Sequence, residues 1–266
     1  SFESGPDFPT SLVLQSNGMA VITGYAANST TQNDFAAARF NVSGTPSLDT
    51  GTGGYGGGTG IAKFDFGSST NDLSYGSYIN SSDEIIMVGS TIPAQGEDFA
   101  ALKLTSSGTL DTASFASASS GLLVVDIDGD AGAGTNKSIG KSVVADSSGN
   151  LFFGVDKGTS DVDSILYKTD SSGTVNSAYG SSGQVSFDDE FRNNPVAGLE
   201  IDTNDKITLL TETTQSTSSE PDILLARFTT TGVLDTSFNT NGFNFHANSI
   251  TKFTHQCWFY LKIIII

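Results

Sequence analysis

The chain repeats itself. Asp34, Asp98, Asp163 and Asp222 are separated by 64, 65 and 59 residues, and each stands five residues before a base: Arg39, Lys103, Lys168 and Arg227. A turn glycine follows each base in the same phase, at Gly44, Gly108, Gly173 and Gly232, again 64, 65 and 59 apart. Three features in one phase, four times over, define a unit of about 60 residues, too short to bury its own apolar faces and stable only when stacked on its copies.

Within the first unit, apolar runs at 11–14 and 19–24 flank Ser16-Asn17-Gly18, the signature of a hairpin. A third run at 34–40 leads through the turn at Ser43-Gly44 to a closing run at 61–66, whose alternation is that of a half-exposed strand. The later units repeat this scheme at 75–79, 84–89, 98–104 and 122–127, then 141–145, 150–155, 163–169 and 184–187, then 196–201, 206–211, 222–228 and 243–245. The third run is apolar on both faces, as in Ala100-Ala101-Leu102 and Ile223-Leu224-Leu225-Ala226, so it needs cover from both sides. Stacked sheets around an axis provide that cover and a single open sheet does not. The predicted fold is all-β: four β-propeller-type blades of about four antiparallel strands each, with almost no helix. Their approximate bounds are 4–66, 67–127, 128–187 and 188–245.

The closing runs also number the blades. Phe2, Phe66, Ile127, Phe187 and Phe245 are spaced by 64, 61, 60 and 58, so residue 2 reads as the last strand of a missing repeat. In a closed four-bladed ring Phe2 and Phe245 would compete for one strand position. The expectation is therefore an open arc, or part of a larger propeller whose further blades belong to a longer parent chain, with apolar faces at both ends. After 245 the pattern stops. Residues 246–266 hold both histidines (His246, His255), Cys257, Trp258 and four terminal isoleucines. This tail reads as foreign to the blades, a shifted frame or truncated end, or else as apolar padding on an exposed blade face. Its apolar stretch is too short to span a bilayer, and Lys262 interrupts it.

The phrase Asp98-Phe99-Ala100 with Lys103-Leu104, then Ser107 to Thr112 and Phe115, together with Phe64 to Gly67, resembles the bacterial delta-60 repeat family over about residues 1–245. The third copy departs, with Ser164 for the aromatic and Asn176 for the aspartate. The resemblance implies propeller blades in an exported or surface-associated bacterial protein. It brings no common activity and no catalytic residue.

Composition narrows the function by exclusion. Twelve basic and 29 acidic side chains give a net charge of −17, which argues against nucleic acid and anionic membranes as partners. One cysteine permits no disulfide framework. Both histidines lie at or beyond the blade pattern's end, so a Ser-His-Asp or Cys-His set has no support within it. The glycine-rich stretch 53–60 lacks a following helix and a Gly-Lys-Ser/Thr ending, and reads as a flexible inter-strand loop rather than a nucleotide cradle. The Asp and base five apart lie on opposite faces of a regular strand, so each base is expected to meet a carboxylate elsewhere, near Asp49, Asp111 or Asp235. Recurrence in every copy marks that set as structural.

What does not repeat is more informative. The loops 25–33, 90–97, 156–162 and 212–221, between second and third strands, differ in length and content, as recognition loops on a rigid frame do. The sequence thus reads as a non-catalytic scaffold or binding module for an unknown protein or glycan, with a glycan hydrolase or lyase as the alternative. Asp126, Asp128 and Asp130 alternate around Ile127 and Gly129, the pattern of a calcium loop. Lys137 stands where an EF-type loop places its bidentate glutamate, so a solvated strand exit is the competing reading. Asp188-Asp189-Glu190 is a second acidic cluster. If Asp126–Asp130 is a calcium loop, calorimetric titration with Ca²⁺ gives heat that Asp128→Asn removes. A flat titration with no thermal stabilisation leaves the strand exit.

Overall fold

The computed structural model describes residues 5–27, 32–67, 71–92, 96–127, 129, 136–188, 193–213 and 222–246. They form four separate antiparallel sheets, each made of consecutive strands. The first contains β1 (Asp7–Leu14), β2 (Ala20–Ala27), β3 (Asn33–Asn41), the two-residue β4 (Ser47–Leu48) and β5 (Ile61–Phe64), with β4 and β5 both pairing with β3. The second contains β6 (Asn71–Ile79), β7 (Ile85–Ile92), β8 (Asp98–Leu104) and β9 (Leu122–Val125). The third contains β10 (Ser138–Ala145), β11 (Leu151–Lys157), β12 (Asp163–Thr169) and β13 (Gln184–Phe187). The fourth contains β14 (Val196–Ile201), β15 (Ile207–Thr213), β16 (Asp222–Phe228) and β17 (Phe243–His246). Helix is confined to single turns among the described residues. Phe2, Asp128, Asp130, Asp189, Glu190 and the tail from 247 onward lie outside them.

The blades stack in chain order. β6 packs on β1, β2 and β3; β10 packs on β6, β7 and β8; β14 packs on β10 and β11. The first strands therefore come closest together and form the inner side of the arc. Each junction has its own apolar core. Val21, Phe35 and Ala37 meet Ile85, Met87, Ala100 and Leu102. Ile86, Val88, Phe99 and Ala101 meet Phe153, Ile165 and Tyr167. Phe152 and Leu166 meet Leu199, Leu209, Leu224 and Ala226. Strands β8 and β12 are accordingly buried on both faces, whereas β16 alternates between buried and half-buried residues. At the other end Leu12 and Leu14 are 52% and 63% exposed. The arc is open, as the sequence predicts.

One lock recurs at every junction. Tyr55, Phe115 and Tyr179 lie buried at the blade edge. The turn glycine of the next blade comes up against each ring. A Cβ on Gly108 would lie 2.5 Å from Tyr55, on Gly173 3.1 Å from Phe115, and on Gly232 3.2 Å from Tyr179. These glycines also hold φ of +80°, +81° and +87°, so two independent constraints exclude a side chain. Beside each ring a backbone bond crosses the junction: Gly56 N–H to Ser107 O at 2.9 Å, Ala116 to Ser172 at 2.8 Å, and Gly180 to Thr231 at 3.2 Å.

The base behind each lock is held by a carboxylate of its own blade. Arg39 Nε donates to Asp49 at 2.8 Å, Lys103 pairs with Asp111 at 2.8 Å, and Arg227 pairs with Asp235 at 2.8 Å. These are the partners the sequence points to, reached across the turn rather than along the strand. In the third blade Asn176 has no charge to offer, and Lys168 turns to Asp146 at 3.4 Å. The backbone bond beneath survives that change: Asp49, Asp111, Asn176 and Asp235 each donate an N–H to the carbonyl of the base. The base also caps the aromatic ring, with Arg39 5.0 Å over Tyr55, Lys168 5.6 Å over Tyr179 and Arg227 4.8 Å over Phe238.

The first-blade wedge corrects one expectation. The glycine-rich stretch is not slack. Gly51 N–H bonds Gly58 O at 2.8 Å, Gly60 bonds Tyr55 O at 2.8 Å, and Asp49 receives the Tyr55 N–H at 3.1 Å. Positive φ at Gly56 (59°) and Gly57 (74°) folds the chain tightly enough to insert Tyr55.

Tyr55 and Tyr179 bury their hydroxyls without a hydrogen-bond partner among the described residues. Phe115 fills the equivalent place with no hydroxyl at all. An unsatisfied buried hydroxyl costs about 1–3 kcal/mol. Tyr55→Phe and Tyr179→Phe are therefore expected to leave the unfolding free energy unchanged or raise it by about 1 kcal/mol each. A loss of stability in denaturant titration would show that the hydroxyls are partnered.

Candidate functional site

Each first strand carries a β-bulge at the same place. The pairing register slips between Pro9 and Ser11, Ser74 and Gly76, Gly140 and Ser142, and Val196 and Gly198. The skipped residues are Thr10, Tyr75, Lys141 and Ala197. A bulge residue leaves the ladder and is re-aimed, which is why bulges gather at sites. These four stand on the first, inner strand of their blades. The matching position on the second strand is Tyr25, Ser90, Asp156 and Glu212, set by equivalent pairing with the third strand.

The side chains at these positions form a continuous ribbon over three blades. Phe8 stacks on Tyr25 with centroids 4.9 Å apart. Tyr25 meets Tyr75 of the second blade edge-on at 6.4 Å. Lys141 of the third blade lies 4.7 Å over the Tyr75 ring. The same ammonium stands 3.8 Å from Asp156. Beside the ribbon, Glu97 accepts from Ser90 at 2.7 Å and pairs with Lys137 at 3.0 Å.

Two groups here are shifted. Burial pushes Asp156 up to about 6, with Glu212 adding to the rise. Lys141 and the N–H of Val196, 2.7 Å away, oppose it without cancelling it. Burial likewise raises Tyr75 to about 12, helped by Glu97, Tyr25 and Asp156. Perturbed groups gathered in one place are a physical marker of a site. The clasp carboxylates behave in the opposite way. Hydrogen bonds from Lys206 and Ser237 hold Asp235 well below the usual carboxylate range. Burial works to raise Asp111, but hydrogen bonds from Lys103 and Ser114 outweigh it. Such carboxylates stay charged and occupied, which suits a frame and not proton transfer.

Of the calcium candidates, Asp126 is exposed and receives the Gly129 N–H at 2.7 Å. Asp128 and Asp130 fall outside the described residues. A different acidic group is brought together by the fold: Asp34, Asp65 and Asp72 place carboxylate oxygens within 4.8 Å of one another. Three carboxylates are hard-cation ligands in type but fewer than the 6–8 oxygens calcium takes. Lys63 stands 3.5 Å from Asp34, and Phe66 N–H holds Asp72 at 2.7 Å, so part of this charge is already answered. Among the described residues no helix is long and apolar enough to cross a membrane.

Sequence reasoning finds the variable loops but not the ribbon. Tyr25, Ser90, Asp156 and Glu212 open those four loops, and the structure places them at strand ends instead. The signal was variation at a repeating position. The bulges that aim Tyr75 and Lys141 leave no mark on alternation.

A family model described as a beta-propeller domain of unknown function (DUF5122) matches residues 203–238. The matched stretch holds the fourth blade's frame: Arg227, Gly232, Asp235 and Phe238. A search of the curated proteins finds no match to the chain.

The raised Asp156 has a fixed thermodynamic sign. Its stabilising contribution is complete below the ordinary value of 3.8 and is lost as pH rises through about 6. Lowered Asp111 and Asp235 contribute at neutral pH and lose their contribution only under strong acid. Between pH 7 and pH 5, therefore, the wild-type melting temperature should rise through Asp156. Asp156→Asn should flatten that rise and stabilise the chain at pH 7 by about 2–3 kcal/mol. A variant with the wild-type pH slope would assign the effect elsewhere.

Proposed function

We propose that the chain is a non-catalytic binding module of an exported or surface-associated bacterial protein, and that its ligand is a glycan held along the inner ribbon. The observation that carries this reading is the ribbon's composition. The base, carboxylate, aromatic and glycine that recur from blade to blade serve the frame. The aromatic and ionisable groups that differ between blades collect at Phe8, Tyr25, Tyr75, Lys141 and Asp156. A shelf of aromatic rings beside hydrogen-bonding heads suits a ligand with apolar ring faces and many hydroxyls. The net charge of −17 disfavours polyanionic glycans.

A second reading rests on Asp156. A carboxyl group raised to about 6 is protonated in a minority of molecules at pH 7 and in most of them below pH 6, the form that a general acid for glycosidic cleavage needs. Its oxygen is engaged by the Val196 N–H and its neighbour is an ammonium, which favours holding over reacting.

A glycan array followed by titration calorimetry tests both. The expected result is saturable binding without release of reducing ends, weakened about tenfold or more by Tyr75→Ala, equivalent to about 1.4 kcal/mol or more. Turnover lost in Asp156→Asn would favour the enzyme. Binding that survives Tyr75→Ala and Tyr25→Ala unchanged would remove the ribbon as the site.

A further inference from the structure

The two ends of the arc are the two halves of one junction. At the fourth blade, Phe238 takes the place of Tyr55, Phe115 and Tyr179. Those three are buried, while Phe238 is half-exposed. The base is already in place over its ring, Arg227 at 4.8 Å. The residue after each aromatic holds a left-handed backbone: φ is 59° at Gly56, 42° at Ala116, 54° at Gly180 and 58° at Asn239. At the three internal junctions this residue donates its N–H to the next blade's turn. Asn239 has the same conformation, and the described residues supply no such turn to it. The sheet face beside it is also ready, with Ile223 and Leu225 half-buried where Phe99 and Ala101 of the second blade are covered.

The first blade presents the opposite half. Gly44 has φ of +83° like the other turn glycines, yet among the described residues no atom lies within 4 Å of where its Cβ would be. Its face carries Leu12, Leu14, Ile22 and Phe40. The residues matching the last two in the second blade, Met87 and Leu104, are 0% exposed. A cleft of about 320 Å³ runs over this face between Phe8, Ile22, Phe40 and Leu48.

We infer that the fourth blade of one copy receives the first blade of a second copy, head to tail, through the contacts that join neighbouring blades within the chain. The occupant follows from the internal junctions: three times on this chain, a face of the Phe238 kind is covered by a face of the Gly44 kind. The match extends to what is missing. At two junctions an aspartate in the hairpin turn reaches back to the preceding blade, Asp83 to Ser16 Oγ and Asp205 to Ser147 Oγ, both at 2.6 Å. Between the second and third blades that position is Gly149, and the junction forms without it. A second copy would bring Gly18 to the same place, so the new contact has the second-to-third type. Because the two surfaces differ, the interface is heterologous and leads to rings or chains of copies.

Sedimentation velocity on the full chain over a wide concentration range tests this. Association that grows with concentration is expected. Leu12→Glu, on an exposed residue of the first-blade face, and Phe238→Ser, on the fourth-blade wedge, should each weaken it at least tenfold. Circular dichroism checks that each variant stays folded, and Leu14→Glu serves as the alternative first-face change. Mixing Leu12→Glu with Phe238→Ser is the decisive arm, since each retains the half the other lacks. The mixture should form one-to-one dimers and nothing larger. A wild-type chain that stays monomeric throughout, because a different segment covers these faces, overturns the proposal. So does association that neither substitution weakens, or a mixture no more associated than its parts.

Discussion

The fold depends on a ring laid against a glycine. Tyr55, Phe115 and Tyr179 each fill the space that a Cβ on the next blade's turn would need, and each sits beside the backbone bond that ties that turn down. Tyr55 and Tyr179 are in turn backed by the base, and the base by a carboxylate of its blade. Removing one partner leaves the other charge without its counter-ion, so the clasp and the wedge depend on each other. This coupling explains why aspartate, base, aromatic and glycine travel together through the repeat. They form one mechanical part distributed over two blades.

The same coupling removes the most conspicuous charged residues from consideration as chemistry. Asp111 and Asp235 are held ionised by several donors at once. The third blade shows that the charge itself is negotiable: Asn176 keeps the backbone bond and Lys168 finds Asp146. What the frame needs is the turn and a counter-charge within reach. The positions that the frame does not specify lie at the inner junctions.

The repeat, the strand order, the open ends and the clasp partners were all legible in the sequence. Each rests on spacing, and spacing survives without three-dimensional information. The wedge in the first blade was not legible. Tyr55 lies eleven residues after Gly44, whereas Phe115, Tyr179 and Phe238 lie seven, six and six after their glycines. A run of glycines absorbs the difference by folding tightly, and such a run reads as slack chain. The ribbon was hidden for another reason. A bulge inserts one residue into a strand and redirects its side chain without altering the count between repeats. Tyr75 and Lys141 therefore look like ordinary strand residues until the register is known.

The bulges have a consequence for how such a chain changes over time. Thr10, Tyr75, Lys141 and Ala197 occupy one geometrical slot and share no chemistry. The slot lies off the hydrogen-bond ladder and outside the three apolar cores, so a substitution there meets little resistance from the architecture. The inner wall behaves as a row of independently replaceable tiles. Selection can rewrite its surface one tile at a time while the masonry behind it stays fixed.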